Sequence, residues 1–252
     1  MEATLTHYAD IFDVRGQAHD DAFRLYPQAC QQEVQAILGL ADPRAGETLL
    51  DLPAAGGFLS THLNVPGVNL IAVEPSPQLH QICRRLVPQS FLAPLHALPL
   101  ADGSVDVAVC LAGLHHEARL AAVFAEIQRV LKKGGRLAIA EVNEGSAEAG
   151  FLNGFVHRHS SLGHCGVFAN QALVDRLVGA GFRLAQDRMA SYHWRFEDRA
   201  ALADCLRLMF GIDQSTPQNI IEAVEQGLGV DDFSEGGIGM RWSLRHVLAF
   251  KD

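Results

Sequence analysis

From residue 48 onward, short apolar runs alternate with segments in which apolar positions recur every three or four residues. That alternation predicts parallel β-strands joined by crossover helices, an α/β organisation. Strands are predicted at residues 48–52, 69–74, 90–93, 105–111 and 136–142. Between the fourth and fifth, Leu120, Val123, Phe124, Ile127, Val130 and Leu131 recur at helical spacing, with Arg119, Glu126 and Arg129 on the other face. Lys132 and Lys133 suit the negative end of that helix, and Gly134 and Gly135 are predicted to supply its left-handed C-cap. A further helix is predicted from an Asn170 N-cap through Leu173, Val174 and Leu177 to Gly181.

Segments 182–194 and 241–250 have β-like composition, and about 45 residues separate them, enough for two helices at 200–210 and 217–227. They read as two paired final strands carrying a helical insertion at about 196–240. Residues 1–45, helically patterned at 28–40, read as an N-terminal helical cap on a main domain of residues 46–252. The chain shows no internal repeat.

Composition narrows the function classes. With 252 residues, 48% of them hydrophobic, the chain buries a core without a disulfide or metal staple. The formal charge is −9, with acids concentrated at Glu222, Glu225, Asp231, Asp232 and Glu235. Nucleic-acid affinity rests on cations that neutralise phosphates, so a small molecule is the expected partner rather than a nucleic acid. The stretch from Asp231 to Glu235 reads as a solvated mobile loop. Cys30, Cys83, Cys110, Cys165 and Cys205 are odd in number and far apart, and read as reduced thiols of a cytoplasmic protein. Neither an export signal nor a membrane span is expected.

Asp51 ends the first strand, a small-residue turn Pro53-Ala54-Ala55-Gly56-Gly57 follows, a helix is expected next, and Glu74 ends the second strand. This is the layout of a nucleoside-binding unit, in which an acid at the end of strand two accepts from ribose hydroxyls. A nicotinamide dinucleotide site shares that layout, but the G-x-G-x-x-G pattern is missing.

Four successive motifs, LLDLPAAGG, IAVEPS, ALPLADGSVDVAVCLAGLHH and EIQRVLKKGGRLAIAEV, resemble the class I S-adenosylmethionine-dependent methyltransferases, in particular the small-molecule and quinone-biosynthesis group. The resemblance implies a Rossmann-like fold: a seven-stranded, mainly parallel sheet with helices on both faces and one antiparallel strand. It also implies S-adenosylmethionine as cofactor and a small organic molecule as methyl acceptor. Asp51, Pro53, Gly56, Gly57, Glu74, Leu98 and Leu111 are its implied cofactor-binding positions. Two departures stand out. Pro53 and Ala55 replace the first two glycines of the family's loop, and Pro94 replaces the acid that commonly meets the adenine amino group. The alternative they favour is a non-catalytic protein of this fold with a regulatory or assembly role.

Methyl transfer from a sulfonium is an in-line displacement that needs a base only where the acceptor carries a proton. His115 and His116 follow strand four, and His157 and His164 lie in the His-rich stretch after strand five. These four are the candidate substrate-binding or base residues. His157, His159, His164 and Cys165 match no zinc spacing, and no metal is expected. The Tyr and Trp residues, Tyr8, Tyr26, Tyr192, Trp194 and Trp242, read as core or as the lining of a cap.

Overall fold

The computed structural model describes residues 7–252; residues 1–6, which carry most of the export-signal reading and the start of the lead-in, lie outside the described residues. Helices α1 (Tyr8–Leu25) and α2 (Gln31–Ala41) precede the sheet. Strands β1 (Thr48–Asp51), β2 (Asn69–Glu74), β3 (Ser90–Leu92), β4 (Val105–Leu111) and β5 (Leu131–Glu141) pair in parallel. The long β6 (Phe182–Phe196) and β8 (Ile238–Lys251) pair antiparallel, and β8 closes on β5. The resulting order is β3-β2-β1-β4-β5-β8-β6, the expected class I methyltransferase arrangement.

Strand periodicity divides the core into two layers. Leu49, Val107, Val109, Ala138 and Ala140 pack with α2 and the insertion, whereas Leu50, Ala108, Cys110, Leu137 and Ile139 pack with the helices of the opposite face. Both faces of the parallel strands are covered, which is why they read as near-continuous apolar runs. Helix α3 (Pro77–Leu86) connects β2 to β3 and is capped by Ser76, whose hydroxyl accepts from the Leu79 amide. Helix α4 (Leu120–Val130) connects β4 to β5. After β5 an interrupted helix runs through α5 (Ala147–Gly150), a π-helical stretch (Phe151–Val156) and α6 (His157–His159). Helix α7 (Gln171–Gly179) has the expected Asn170 cap, accepting from the Ala172 amide. Helices α8 (Arg199–Phe210) and α9 (Pro217–Gly227) lie between β6 and β8. Among the described residues no helix is long and apolar enough to cross a membrane.

Three local expectations are corrected. Helix α4 ends at Val130 without a glycine cap: Leu131 is extended (φ −67°, ψ 140°) and already pairs with Val105 of β4. Gly134 (φ +75°) and Gly135 instead bend the start of β5, where a Cβ on Gly135 would lie 2.8 Å from the Lys132 carbonyl. The segment after the small-residue turn is a single 3-10 helix (Phe58–His62), not a full crossover helix. The acidic stretch is not a free loop. An eighth strand, β7 (Val230–Asp232), pairs with β8. Asp231 lies 2.8 Å from His193 Nε2 and accepts from Arg241 Nε at 2.8 Å, and Asp232 accepts from Arg199 at 2.9 Å.

This pairing has a direct consequence for proteolysis. Wild-type protein should resist limited digestion at residues 230–237 under native conditions, whereas Arg241→Ala should open a cleavage site there. Equal cleavage rates in the two proteins would show that Arg241 does not hold the strand.

Candidate active site

Strands β1, β2 and β5 all end in a buried acid, Asp51, Glu74 and Glu141 respectively. They end at the carboxyl edge of the parallel strands, where open α/β sheets bind ligands. A cavity opens there. Asp51, Pro53, Ala55, Leu111 and Ala112 form one wall, and His115, His116 and His164 another. Helix α1 contributes Tyr8, Phe12, Arg15 and His19, α2 contributes Glu33, and Trp194, Phe210 and Trp242 bring an aromatic wall from the far side. Trp194 and Trp242 lie with ring centroids 4.8 Å apart.

The three acids differ in what they meet. Asp51 forms no hydrogen bond through its carboxylate among the described residues, and burial pushes its pKa up to about 8. Glu74 is saturated: it accepts from Tyr8 Oη (3.2 Å), the Ala55 amide (2.7 Å) and the Ser76 amide (2.8 Å). Burial raises its pKa to about 8 against the opposing pull of those donors. Glu141 accepts from the amides of Leu114 (2.9 Å) and Val142 (2.8 Å) and lies 2.8 Å from His115 Nδ1.

The expected cofactor residues therefore separate. Asp51, Pro53 and Leu111 line the cavity, but Glu74, Gly56, Gly57 and Leu98 do not. Leu98 is turned into the α4 layer, and its amide donates to Glu126. Helix α1 crosses Glu74 and the start of α3: Asp13 accepts from Ser76 Oγ at 3.0 Å, and the Gln17 amide donates to Gln78 at 3.1 Å. Gly56 lies beneath the same helix, where an added Cβ would fall 2.3 Å from Asp20 Oδ1. Pro53 is accommodated by Gly113, on which a Cβ would fall 2.3 Å from the proline ring.

The histidines separate as well. His115, His116 and His164 are buried together, whereas His157 stands behind them with Nδ1 2.9 Å from the His164 carbonyl. His159 faces Gln214 and Cys165 is exposed, so the four residues first weighed as metal ligands do not converge. Burial drives the pKa of His116 well down and that of His164 to about 2.

Sequence reading passed over Arg15, His19 and Glu33. Arg15 donates to the Met209 carbonyl at 3.1 Å and sits 5.1 Å from the Phe12 ring centroid, and burial lowers its pKa to about 10. Glu33 accepts from Trp194 Nε1 at 3.0 Å, and burial raises its pKa to about 8. The available signal was a charged residue on an otherwise apolar helix face, which alone does not distinguish a pocket from solvent.

Residues 50–139 match a family model described as a methyltransferase domain. An uncharacterized methyltransferase of Mycobacterium tuberculosis is 38% identical over 99 residues, covering 38% of this chain and 40% of that protein. A demethylmenaquinone methyltransferase of Beutenbergia cavernae is 35% identical over 109 residues, covering 42% and 45%. The matches thus span less than half the length of these curated relatives. A Thermotoga maritima structure described as an S-adenosylmethionine-dependent methyltransferase, possible histamine N-methyltransferase, superposes with a TM-score of 0.66 at 19% identity, covering 98% of this chain and 100% of that one.

Asp51 yields a pH test. Its folded pKa of about 8 lies above an unfolded value of about 3.9, so the native state holds the extra proton and stability falls as pH rises between those values. Asp51→Asn should therefore unfold at a higher temperature than wild type at pH 8, with the gap shrinking toward pH 4. Thermal unfolding at the two pH values checks this; a gap independent of pH would show that Asp51 is not held protonated by burial.

Proposed function

Because the chain carries a methyltransferase domain on a class I methyltransferase fold, we propose that it transfers a methyl group from S-adenosylmethionine to a small, flat organic acceptor. The observation that carries this reading is the partnerless Asp51 carboxylate on the wall of an aromatic cavity at the strand ends. S-adenosylmethionine supplies an electrophilic methyl group for in-line displacement. Asp51, beside the Leu111–Ala112 backbone, would hold its amino group, since a buried carboxylate without donors favours a cation. The methionine end would lie against Asp51; the ribose end would reach Glu74 only once α1 moves off it, because the Tyr8 hydroxyl occupies that acid.

The aromatic wall formed by Trp194, Phe210 and Trp242 would stack on the acceptor, and Arg15 would meet an anionic group on it. Glu141 fixes His115 with Nδ1–H donating, so Nε2 keeps a lone pair for a proton or ligand. His116 and His164 complete that polar end, while His157 acts by supporting the His164 loop. The cytoplasm, where S-adenosylmethionine is made and thiols stay reduced, is the proposed compartment.

The saturated Glu74 favours a second reading, a non-catalytic protein of this fold that keeps α1 closed. Calorimetry with S-adenosylmethionine and S-adenosylhomocysteine decides between them. Micromolar binding, about −8 kcal/mol, is the expected result. Glu74→Ala should weaken it by about 1.5–3 kcal/mol, the worth of a charged hydrogen bond, and Tyr8→Phe should tighten it by removing the internal competitor. Absence of binding in folded protein would establish the non-catalytic reading.

A further inference from the structure

Among the described residues, His115, His116 and His164 form a cluster in which one ring nitrogen of each lies within 4.8 Å of those of the other two. The first two sit on the 3-10 turn after β4 (Leu114–His116), and the third on the loop after α6. All three are buried and line the cavity. We propose that these histidines bind a divalent transition-metal ion of the zinc class, with its open coordination position facing the cavity.

The case begins with the groups behind the rings. Glu141 Oε1 lies 2.8 Å from His115 Nδ1, and a carboxylate at that position holds the proton on Nδ1 and leaves the Nε2 lone pair free. Asn153 does the same for His164. Its Oδ1 accepts from the Gly166 amide (2.9 Å) and its Nδ2 donates to the Gly166 carbonyl (2.9 Å), so the amide orientation is fixed from two sides. That same Oδ1 lies 2.8 Å from His164 Nδ1, which must therefore donate and leave Nε2 as a ligand. His116 Nδ1 is buried with no hydrogen-bond partner among the described residues. Buried polar atoms are rarely left so, and no hydrogen bond joins the three rings to one another among the described residues.

Packing supports the same arrangement. A Cβ on Gly166 would lie 2.9 Å from His115 Cδ2 and 3.1 Å from His164 Cε1, so only glycine lets the loop press both rings together. The Val167 amide donates to the His115 carbonyl at 2.8 Å and ties the loop to the turn. Imidazole nitrogens on a tetrahedral zinc stand about 3.4 Å apart, so rotations moving each ring by under about 1 Å would complete the site. Three neutral imidazoles suit zinc, cobalt and nickel better than magnesium or calcium, which prefer oxygen. Glu141 behind His115 offsets part of the added charge, and Arg15 would share an anionic ligand with the ion.

The test needs neither cofactor nor acceptor, so its outcome is separate from that of the methyl-transfer reading. The chelator-stripped 252-residue chain is titrated with Co²⁺ and followed by its visible absorption, then with Zn²⁺ in competition. One Co²⁺ per chain with tetrahedral d–d bands, displaced by one equivalent of Zn²⁺, is expected. His116→Gln and His164→Gln should each weaken Co²⁺ binding at least about 100-fold, and Asn153→Ala, which keeps all three ligands, about 10–100-fold. His193→Gln, on β6 beside Asp231, should bind as wild type. Circular dichroism checks that each variant is folded, and Asn153→Ala carries the test if a histidine variant is not. Failure of wild-type protein to bind stoichiometrically, or wild-type affinity in folded His164→Gln or Asn153→Ala, would overturn the proposal.

Discussion

A carboxylate at the end of a parallel strand, beneath covering helices, has to find donors or remain protonated, and this chain places one at the end of β1, of β2 and of β5. Each resolves the constraint differently, and the differences lay out the site. Glu141 is met by two backbone amides and an imidazole, which fixes the turn after β4 and the orientation of His115. Glu74 is met by two amides of the flanking turns and by a hydroxyl from α1, which fastens the N-terminal helix across the sheet. Asp51 is met by no donor among the described residues, and the cavity opens beside it.

The covering elements follow from those attachments. Helix α1 is anchored at Glu74 and again through Asp13 at Ser76, so its next turns carry Arg15 and His19 over the cavity. The insertion supplies the opposite wall: Met209 receives the Arg15 guanidinium, and Phe210 stacks toward Trp194 and Trp242. An arginine held this way keeps its charge in an apolar chamber, which favours a ligand that brings an anion with it. On the proposed reading, cofactor entry and α1 closure would compete for the same Glu74 oxygen, and the helix would act on occupancy through the one hydrogen bond that a ribose hydroxyl would replace.

Much of this fold was legible because strand burial writes a local signal. The runs at 69–74 and 105–111 coincide with β2 and β4, and the helix expected at 217–227 coincides with α9. What misled the reading was competition between local and non-local bonds. Gly134 and Gly135 have the chemistry of a helix cap, but Leu131 gains a ladder partner in Val105, and the strand begins first. Asp231 and Asp232 look solvated in sequence because their partners, His193, Arg199 and Arg241, come from three separate elements.

The histidines show the same limit more sharply. Clustering in sequence drew attention to His157, His159, His164 and Cys165, yet an imidazole cluster is a property of two chain segments meeting, not of one segment's composition. His164 reaches His115 and His116 because Asn153, on the π-helical stretch, grips the backbone of Gly166 from both sides. A π-helical turn displaces the following side chains relative to a regular helix, and such turns are frequent at functional sites. Neither the turn nor the tight approach at Gly166 leaves a periodic trace, since one depends on hydrogen-bond register and the other on the absence of a side chain. The meeting of the three imidazoles thus rests on an asparagine that orients one ring and on a glycine that leaves room for two.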